Sequence, residues 1–270
     1  MSVSPAFLAT AIDAVVRAGD MQMARFGTAM RVDRKSAIDI VTEVDVAIEH
    51  MFRALIDARF PDHDVLAEEL GAGTRPDATH RWIFDPIDGT TNFAHGVPIF
   101  CASLALEIDG QVEVGAVYDP NRRELFTAER GVGAWLNGAP LRVSPSASMI
   151  EGLLVTGFPY NVHEELDEVV ALFRDFVGQA RAIRRLGSAA IDLCWLAAGR
   201  MDGFWEAGLK PWDAAAAALL VTEAGGRVTA FDGAPWAPAS PTIVASNGLL
   251  HDRMLETLAA ARARSPKRTI

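Results

Sequence analysis

The order of the hydrophobic patterns along the chain constrains its fold more than any other feature. Between residues 81 and 136, apolar residues occur in short runs typical of β-strands. Asp109-Gly110 and Asn137-Gly138 are dipeptides that favour tight turns between strands. After residue 164, stretches with a helical period alternate with short apolar runs. A strand meander followed by helix–strand alternation predicts two layered parts, each built from helices and a sheet.

The individual elements follow from the same patterns. A first helix runs from Leu8 to Phe26 and stops at Gly27, and a second begins at Thr42, where Thr42 and Asp45 form a capping box. Four more helices are predicted at 164–177, 188–198, 212–224 and 249–261, with strands between them at 181–184, 203–206, 227–230 and 243–246. We expect one compact unit with an N-terminal half over residues 1–145 and a C-terminal half over residues 146–270.

Charge and cysteine content argue against several classes of protein. The net charge of −10 disfavours a nucleic-acid-binding protein, which would need a basic face. The longest apolar runs fall far short of the roughly 20 residues that span a bilayer. Cys101 and Cys194 lie among apolar residues, as buried free thiols do, and so few cysteines fit a reducing compartment. We therefore expect a cytoplasmic protein that binds neither nucleic acid nor a membrane.

The segment at residues 82–93 carries the strongest chemical signal. Pro86 bars a regular helix here, and the apolar residues before Asp85 predict a buried strand that delivers this acid to its end. Asp85 and Asp88 then flank a turn, with the carbonyl of Ile87 between them. These hard oxygen ligands suit a magnesium ion.

Two residues that can hold a phosphate follow at once. If a helix starts after Asp88, the free N–H groups of Gly89 and Thr90 can bind phosphate oxygens, helped by the helix dipole. Metal ligands, a phosphate cradle and a hydroxyl would then lie within six residues of one another. This combination predicts metal-assisted chemistry on a phosphate group.

Five motifs, in order and properly spaced between Lys35 and Gly226, resemble those of the inositol monophosphatase family. They are residues 35–45, residues 67–69 with Ala67 in place of the usual glycine, residues 82–93, residues 187–190, and residues 210–216 followed by 223–226. The resemblance implies an α-β-α-β-α sandwich, in mixed α+β and α/β terms, with its active site between the two halves. It also implies a magnesium-dependent, lithium-sensitive phosphatase, usually a homodimer.

The resemblance also implies a role for each matching residue. Two or three Mg²⁺ ions would be held by Glu68, Asp85, Asp88, Asp213 and the carbonyl of Ile87. The attacking water would be oriented and deprotonated by Asp45 and Thr90. Substrate would be bound by Asp88, Gly89 and Thr90 at its phosphate and by Ala189 and Glu206 at its hydroxyls.

The substrate class stays open between related phosphatases. A small polyol phosphate such as inositol 1-phosphate is favoured because Thr91-Asn92 follows Asp-Gly-Thr, where relatives acting on histidinol phosphate often carry lysine. Fructose 1,6-bisphosphate and 3′-phosphoadenosine 5′-phosphate are further alternatives. A non-catalytic regulatory protein that has kept the fold is the alternative from another class, although an intact set of acids argues against loss of catalysis.

Several residues also have a purely structural interpretation. Asp45 and Asp213 each stand where a helix begins, so either could serve only as a cap. Glu206 could be an ordinary charge at the end of a strand. Glu69 is interpreted as a solvated neighbour of Glu68, and Lys35 either holds a nearby acid or is simply exposed.

Overall fold

The computed structural model describes residues 4–36, 38–75, 77–159 and 161–264. These residues contain seven α-helices: α1 (Pro5–Arg25), α2 (Glu43–Arg59), α3 (Thr90–Ala94), α4 (Leu166–Val177), α5 (Ala189–Ala197), α6 (Pro211–Glu223) and α7 (His251–Arg264). Within the described ranges, no helix is both long enough and apolar enough to cross a bilayer.

The first large sheet has eight strands and contains the predicted meander. Its order is β10-β9-β8-β7-β6-β5-β3-β4, in which β5 to β10 are antiparallel neighbours and β3 pairs with β5 in parallel. The strands are β3 (Asp64–Ala67), β4 (Gly71–Ala72), β5 (His80–Asp88), β6 (Cys101–Ile108), β7 (Gln111–Asp119), β8 (Glu124–Glu129), β9 (Gly133–Leu136) and β10 (Ala139–Pro140). A short ribbon of β1 (Val32–Arg34) and β2 (Ile40–Thr42) precedes it.

The second large sheet has five strands and mixes parallel with antiparallel pairs. Its order is β12-β11-β13-β15-β14, formed by β11 (Leu153–Thr156), β12 (Ala182–Arg184), β13 (Gly203–Ala207), β14 (Arg227–Thr229) and β15 (Thr242–Ser246). The chain passes from the first sheet to the second between Pro140 and Leu153. The predicted boundary at residues 145 and 146 lies in this connection and stays a prediction.

The helices and the two sheets stack as five layers. Helices α1 and α2 cover one face of the eight-stranded sheet, and α6 covers the other. Helix α5 joins α6 to the five-stranded sheet, whose far face carries α4 and α7. Successive residues of strand β13 point to opposite faces of this sheet. Phe204 packs with the core that contains α5 and α6, and Trp205 packs with the core that contains α4 and α7. The α-β-α-β-α sandwich implied by the family resemblance is therefore confirmed.

Most elements lie within a few residues of their predicted positions, and the exceptions have physical reasons. The capping box of Thr42 and Asp45 at the start of α2 is present, and Gly27 has a φ of +74° just after α1. Strand β5 continues through Asp88 instead of turning after Phe84. Strands β3 and β11 are not among the predicted elements, because each is defined by parallel pairing with a strand farther along the chain, β5 and β13 respectively.

Helix α6 lies between the two sheets and is buried from Ala214 to Val221. Its run of alanines lets the helix backbone approach the sheet closely. At Gly115 on β7, an added Cβ would stand 2.8 Å from the carbonyl oxygen of Ala216 and 3.2 Å from its Cα. The layer spacing therefore depends on small residues on both the helix and the strand.

Gly115→Ala is expected to destabilise the protein by about 2 kcal/mol, because backbone atoms of α6 cannot move aside as a flexible side chain could. The midpoint of thermal unfolding should fall by several degrees, at roughly 2–4 °C per kcal/mol for a chain of this size. Gly178→Ala is the matched control, since Gly178 has a helical φ of −69° and its added Cβ would meet nothing closer than 3.6 Å. Equal midpoints for the two variants would contradict the close approach.

Candidate active site

The pairing of β3 with β5 brings two acids to one edge of the eight-stranded sheet. These strands run in parallel, with Ala67 opposite Phe84. Glu68 and Asp85 each follow one residue later. Because parallel strands end at the same edge, the two carboxylates meet although 17 residues separate them in the chain.

A bulge in β5 turns Asp85 and Asp88 to the same face. Asp85 stands opposite Ser103 and Asp88 opposite Cys101, so β5 advances three residues while β6 advances two. Residues three apart on a regular strand face opposite sides, and the extra residue of the bulge corrects this. Pro86, which cannot donate to the strand ladder, lies within the bulge. The two acids predicted to flank a turn therefore flank a bulge.

Asp88 connects the two halves of the molecule. Its Oδ2 accepts hydrogen bonds from the hydroxyl of Ser188 at 2.5 Å and from the N–H of Ala190 at 2.7 Å. Ser188 is the N-cap of α5, whose positive dipole end favours a carboxylate. The side chain of Asn92 adds a second link by donating to the carbonyl of Leu186 at 2.8 Å. The loop before α5 is thereby fixed beside Asp88 and the segment that follows it.

Asp45 caps α2 and contacts Thr90 as well. Its Oδ2 accepts from the N–H of Thr42 at 2.9 Å and from the Thr42 hydroxyl at 2.5 Å. Its Oδ1 lies 3.2 Å from the hydroxyl oxygen of Thr90, which also lies 2.9 Å from the carbonyl oxygen of Ile87. The helix-cap interpretation of Asp45 is correct, and it leaves one oxygen facing the cleft residues.

Asp213 combines a cap with a position in the acidic cluster in the same way. It stands in the first turn of α6, and its Oδ2 accepts from the N–H of Lys210 at 2.7 Å. Its negative charge contributes to raising the pKa of Asp85, so the two carboxylates lie near each other.

Lys35 forms ion pairs with both Glu68 and Glu69. These contacts settle the role of Lys35 and correct the interpretation of Glu69. The Lys35 ammonium donates to Glu68 and to Glu69, each at 2.7 Å, so it holds acids instead of being free in solvent. The Glu69 side chain is only 6% exposed, which contradicts its interpretation as a solvated neighbour. Burial and the charge of Glu68 raise the pKa of Glu69 to about 7. Two adjacent glutamates need the shared cation because each is shielded from water.

The convergence of acids is visible in their electrostatics. Burial and the negative charges of Glu68, Asp88, Asp213 and Asp45 raise the pKa of Asp85 well above its usual range. Burial raises the pKa of Asp88 to about 6 against the opposing hydrogen bond from Ser188, and it raises the pKa of Asp45 to about 6 as well. The cluster is therefore reluctant to carry its full negative charge without cations.

The donor set fits a hard divalent cation such as Mg²⁺. Asp85, Asp88 and Asp213 each have one oxygen engaged by a protein donor, which orients the carboxylate and leaves its second oxygen for another partner. All the ligand atoms are oxygens, as magnesium prefers. In the part of the chain that the structure describes, no group of three or more His, Cys, Asp or Glu side chains is already placed to hold a metal ion.

Glu206 differs from the acids of the cluster because none of the residues that the structure describes donates a hydrogen bond to its carboxylate. It stands on β13, is 7% exposed, and accepts no hydrogen bond from any residue in the described ranges. Burial raises its pKa to about 8, and the positive charge of Arg185 only partly opposes this. Ala189, the other residue expected at the substrate hydroxyls, begins α5. A buried carboxylate without donors is suited to accept hydrogen bonds from a ligand.

Three residues that lie close to these acids are not among the predicted site residues. Ser188 and Asn92 lie inside recognised motifs, and the N-cap preference of serine before an apolar helix was a usable signal for Ser188. Asp192 on α5 had none, since it is a single acid in an apolar helix. It is 1% exposed, its Oδ1 has no partner among the described residues, and burial together with the charge of Glu206 raises its pKa.

Without metal, we expect stability to fall as pH rises from about 6.5 to about 8.5. When folding raises the pKa of a carboxyl group, the folded protein holds that proton more tightly than the unfolded chain does. The resulting stabilisation is complete at a pH below the pKa of the unfolded chain, and it is lost as the pH rises through the pKa of the folded protein. In this window Glu69 titrates at about pH 7 and Glu206 at about pH 8. Melting curves in EDTA measure the trend. A midpoint that is constant or rises across the window would contradict it.

Two buried histidines affect stability in the opposite direction, but only at a pH below this range. Burial lowers the pKa of His63 and of His251 to about 4, so their effect on stability ends near their unfolded value of 6.5. Glu206→Gln provides the matched control, because it removes one titrating carboxyl and should flatten the trend around pH 8.

Mg²⁺ is expected to stabilise the folded protein if it binds only to that state. At about a hundred times its dissociation constant it should raise the free energy of unfolding by about 2.7 kcal/mol.

The chain matches a model of the inositol monophosphatase family over residues 5–267. It is 43% identical over 255 residues to an inositol-1-monophosphatase of Synechocystis, covering 94% of this chain and 89% of the relative. It is 47% identical over 231 residues to a protein of Pseudomonas aeruginosa named Nus factor SuhB, covering 84% of this chain and 85% of the relative.

Solved structures agree with the sequence relatives. An inositol monophosphatase from Anabaena superposes with a TM-score of 0.86 at 40% identity, covering 94% of this chain and 96% of the other. A structure described as an IMPase/NADP phosphatase complexed with Mg²⁺ and phosphate gives 0.78 at 28% identity, covering 91% and 92%. Together with the fold and the acidic cleft, these matches identify a phosphoric monoester hydrolase: the chain belongs to the inositol monophosphatase family.

Proposed function

We propose that this enzyme hydrolyses a small polyol phosphate monoester, with inositol 1-phosphate as the preferred substrate, and that it requires magnesium. The observation that carries the proposal is the convergence of Glu68, Asp85, Asp88 and Asp213 beside the start of α3, where Gly89 and Thr90 stand. Clustered carboxylates attract cations, and bound cations in turn attract the negatively charged phosphate group. The similar IMPase/NADP phosphatase, which was solved in complex with Mg²⁺ and phosphate, supports the same choice of ion.

The acidic residues and one carbonyl would hold two or three Mg²⁺ ions. The ligands are Glu68, Asp85, Asp88, Asp213 and the carbonyl oxygen of Ile87. When bound, the ions neutralise the carboxylates, polarise the phosphate and stabilise the departing alkoxide. The chain's own contribution is to fix each carboxylate through a second contact, as Ser188 and Ala190 do for Asp88.

Asp45 and Thr90 are proposed to orient the attacking water and take its proton. When the Thr90 hydroxyl donates to Asp45, its oxygen is free to accept a hydrogen bond from water. The pKa of Asp45, raised to about 6 by burial, lies close to neutrality, so this carboxylate can take up a proton during the reaction. The helix cap keeps Asp45 from turning away.

Gly89 is proposed to let a phosphate approach the backbone. Its φ is +99°, and an added Cβ would stand 2.9 Å from the carbonyl oxygen of Ile99 and 3.2 Å from that of Gly187. No other residue fits this position without strain. The N–H groups of Gly89 and Thr90 would then meet the phosphate oxygens.

Asp88→Asn is expected to lower phosphate release by several orders of magnitude at saturating Mg²⁺, because it removes both a charge and a ligand oxygen. The assay measures kcat/KM over a panel of inositol 1-phosphate, fructose 1,6-bisphosphate, histidinol phosphate, 3′-phosphoadenosine 5′-phosphate and p-nitrophenyl phosphate. Asp57→Asn is the control, since Asp57 is an exposed acid on α2 outside the cluster. A near wild-type rate in Asp88→Asn would refute the metal role. A higher kcat/KM for another panel member would replace inositol 1-phosphate.

Glu206 is proposed to accept hydrogen bonds from the hydroxyls of the alcohol half of the substrate. Glu206→Gln should lower kcat/KM for inositol 1-phosphate about tenfold to a hundredfold, the range expected for one charged hydrogen bond. Activity on p-nitrophenyl phosphate should change much less, because this substrate has no hydroxyls there. Equal losses on the two substrates would assign Glu206 to the metal site or to the fold instead.

A second role is favoured by the names of several relatives. The 47% identity to a protein named Nus factor SuhB suggests that this chain also acts in transcription. Asp88→Asn tests whether the two roles are separate, because a role that depends only on binding through the folded surface would survive the loss of turnover. Loss of a transcription effect in Asp88→Asn would tie that role to catalysis.

Three further properties belong to this proposal through the family. We propose that the enzyme is a homodimer, that it is cytoplasmic, and that lithium inhibits it by occupying a magnesium position.

A further inference from the structure

The carboxylate of Glu206 occupies space that a side chain at position 157 would otherwise fill. A Cβ added to Gly157 would overlap both carboxylate oxygens and the Cδ of Glu206, well inside the 3.0 Å that real Cβ atoms respect. Gly157 has no positive φ, so its backbone does not itself demand glycine. A side chain at position 157 is therefore excluded by the carboxylate of Glu206 and not by the backbone conformation of Gly157.

The two residues are held side by side by the second sheet. Strands β11 and β13 run in parallel, with Thr156 opposite Trp205, and the Thr156 hydroxyl donates to the Trp205 carbonyl at 2.6 Å. Gly157 directly follows the end of β11, and Glu206 is the next residue of β13. Trp205 is itself stacked on Phe176 with ring centroids 3.9 Å apart. Neither backbone can move aside easily to accommodate a new atom.

The wall behind the carboxylate offers little room for it to retreat. The cavity that Gly157 and Glu206 border has a volume of about 20 Å³, enough for about one water molecule. The remaining lining is mostly apolar and includes Phe158, Leu172 and Phe231. A displaced carboxylate would have to swing toward the cleft, because the apolar wall cannot solvate it.

Arg185 supplies the counter-charge on the same side. Its guanidinium lies over the ring of Phe158 at 5.7 Å from the centroid, and its charge acts on Glu206. Phe158 directly follows Gly157 in the chain. The segment at residues 157–158 therefore sets both the position of the acid and the position of the cation next to it.

We propose that Gly157 is a specificity-determining residue, whose missing side chain lets Glu206 adopt the position from which it recognises the hydroxyls of the substrate alcohol. This inference rests on the proposed polyol phosphatase function. Gly157 is a positioning residue: it touches Glu206, and through Glu206 it selects substrates that carry hydroxyl groups. Any side chain at this position would change the substrate preference of the enzyme, in favour of phosphate esters whose alcohol carries no hydroxyl groups.

The test compares Gly157→Ala with wild type on inositol 1-phosphate and on p-nitrophenyl phosphate, at saturating Mg²⁺. We expect kcat/KM for inositol 1-phosphate to fall about tenfold to a hundredfold, mainly through KM, with p-nitrophenyl phosphate changed much less. An unchanged ratio between the two substrates overturns the proposal. If wild type hydrolyses no phosphate ester at all, it is the proposed function that fails.

A double-mutant cycle with Glu206→Ala separates positioning from a general effect on the fold. In the Glu206→Ala background, Gly157→Ala should cause no further loss of discrimination, because the group it displaces is gone. Additive losses would overturn the proposal. If Gly157→Ala alone fails to fold, folding of the double variant supports the overlap with Glu206, and failure of both assigns Gly157 to the fold instead. Gly178→Ala serves as the control for a glycine substitution in the same half.

Discussion

Mutual repulsion among buried carboxylates is the constraint on which the rest of this structure depends. Placing Asp85 beside Glu68, Asp88, Asp213 and Asp45 costs free energy, because each charge loses water and faces others of its own sign. The fold tolerates the cluster by engaging one oxygen of most of these acids with a protein donor. Added positive charge would relieve this repulsion, which is the physical reason for proposing a metal-dependent enzyme.

The protein donors that orient the acids come from helix starts, from one lysine and, for Asp85, from the N–H of Ile87 in the bulge of β5. Asp45 and Asp213 take part in capping their own helices, and Asp88 lies at the beginning of α5. Helix N-termini offer free N–H groups and a favourable dipole, so they hold carboxylates without bringing in a competing side chain. The two interpretations of Asp45 and Asp213, as caps and as site residues, are therefore not alternatives. In the proposed function, the cap would orient the carboxylate that acts in the site.

The cleft has two ends that differ in how their acids are partnered. At the phosphate end the carboxylates are tied to backbone and hydroxyl donors, which suits a task that demands fixed geometry. At the other end, Glu206 is buried without any donor from the described residues, and Gly157 leaves room for it. A carboxylate in that state gains most from a ligand that supplies hydroxyl groups. In the proposed function, catalysis and recognition of the alcohol would therefore take place at different ends of the cleft.

The sequence by itself determined the order of elements, the capping box at Thr42 and the family, because periodicity, turn dipeptides and motifs are local properties. It also pointed to the acids at 85 and 88, whose meaning depends on near neighbours in the chain. Only the tertiary structure decided that a bulge, and not a turn, gives those acids a common face. Only it paired Lys35 with Glu68 and Glu69, and joined Asp88 to Ser188 a hundred residues later. Contacts of this kind depend on strand register and layer packing, which no short segment encodes.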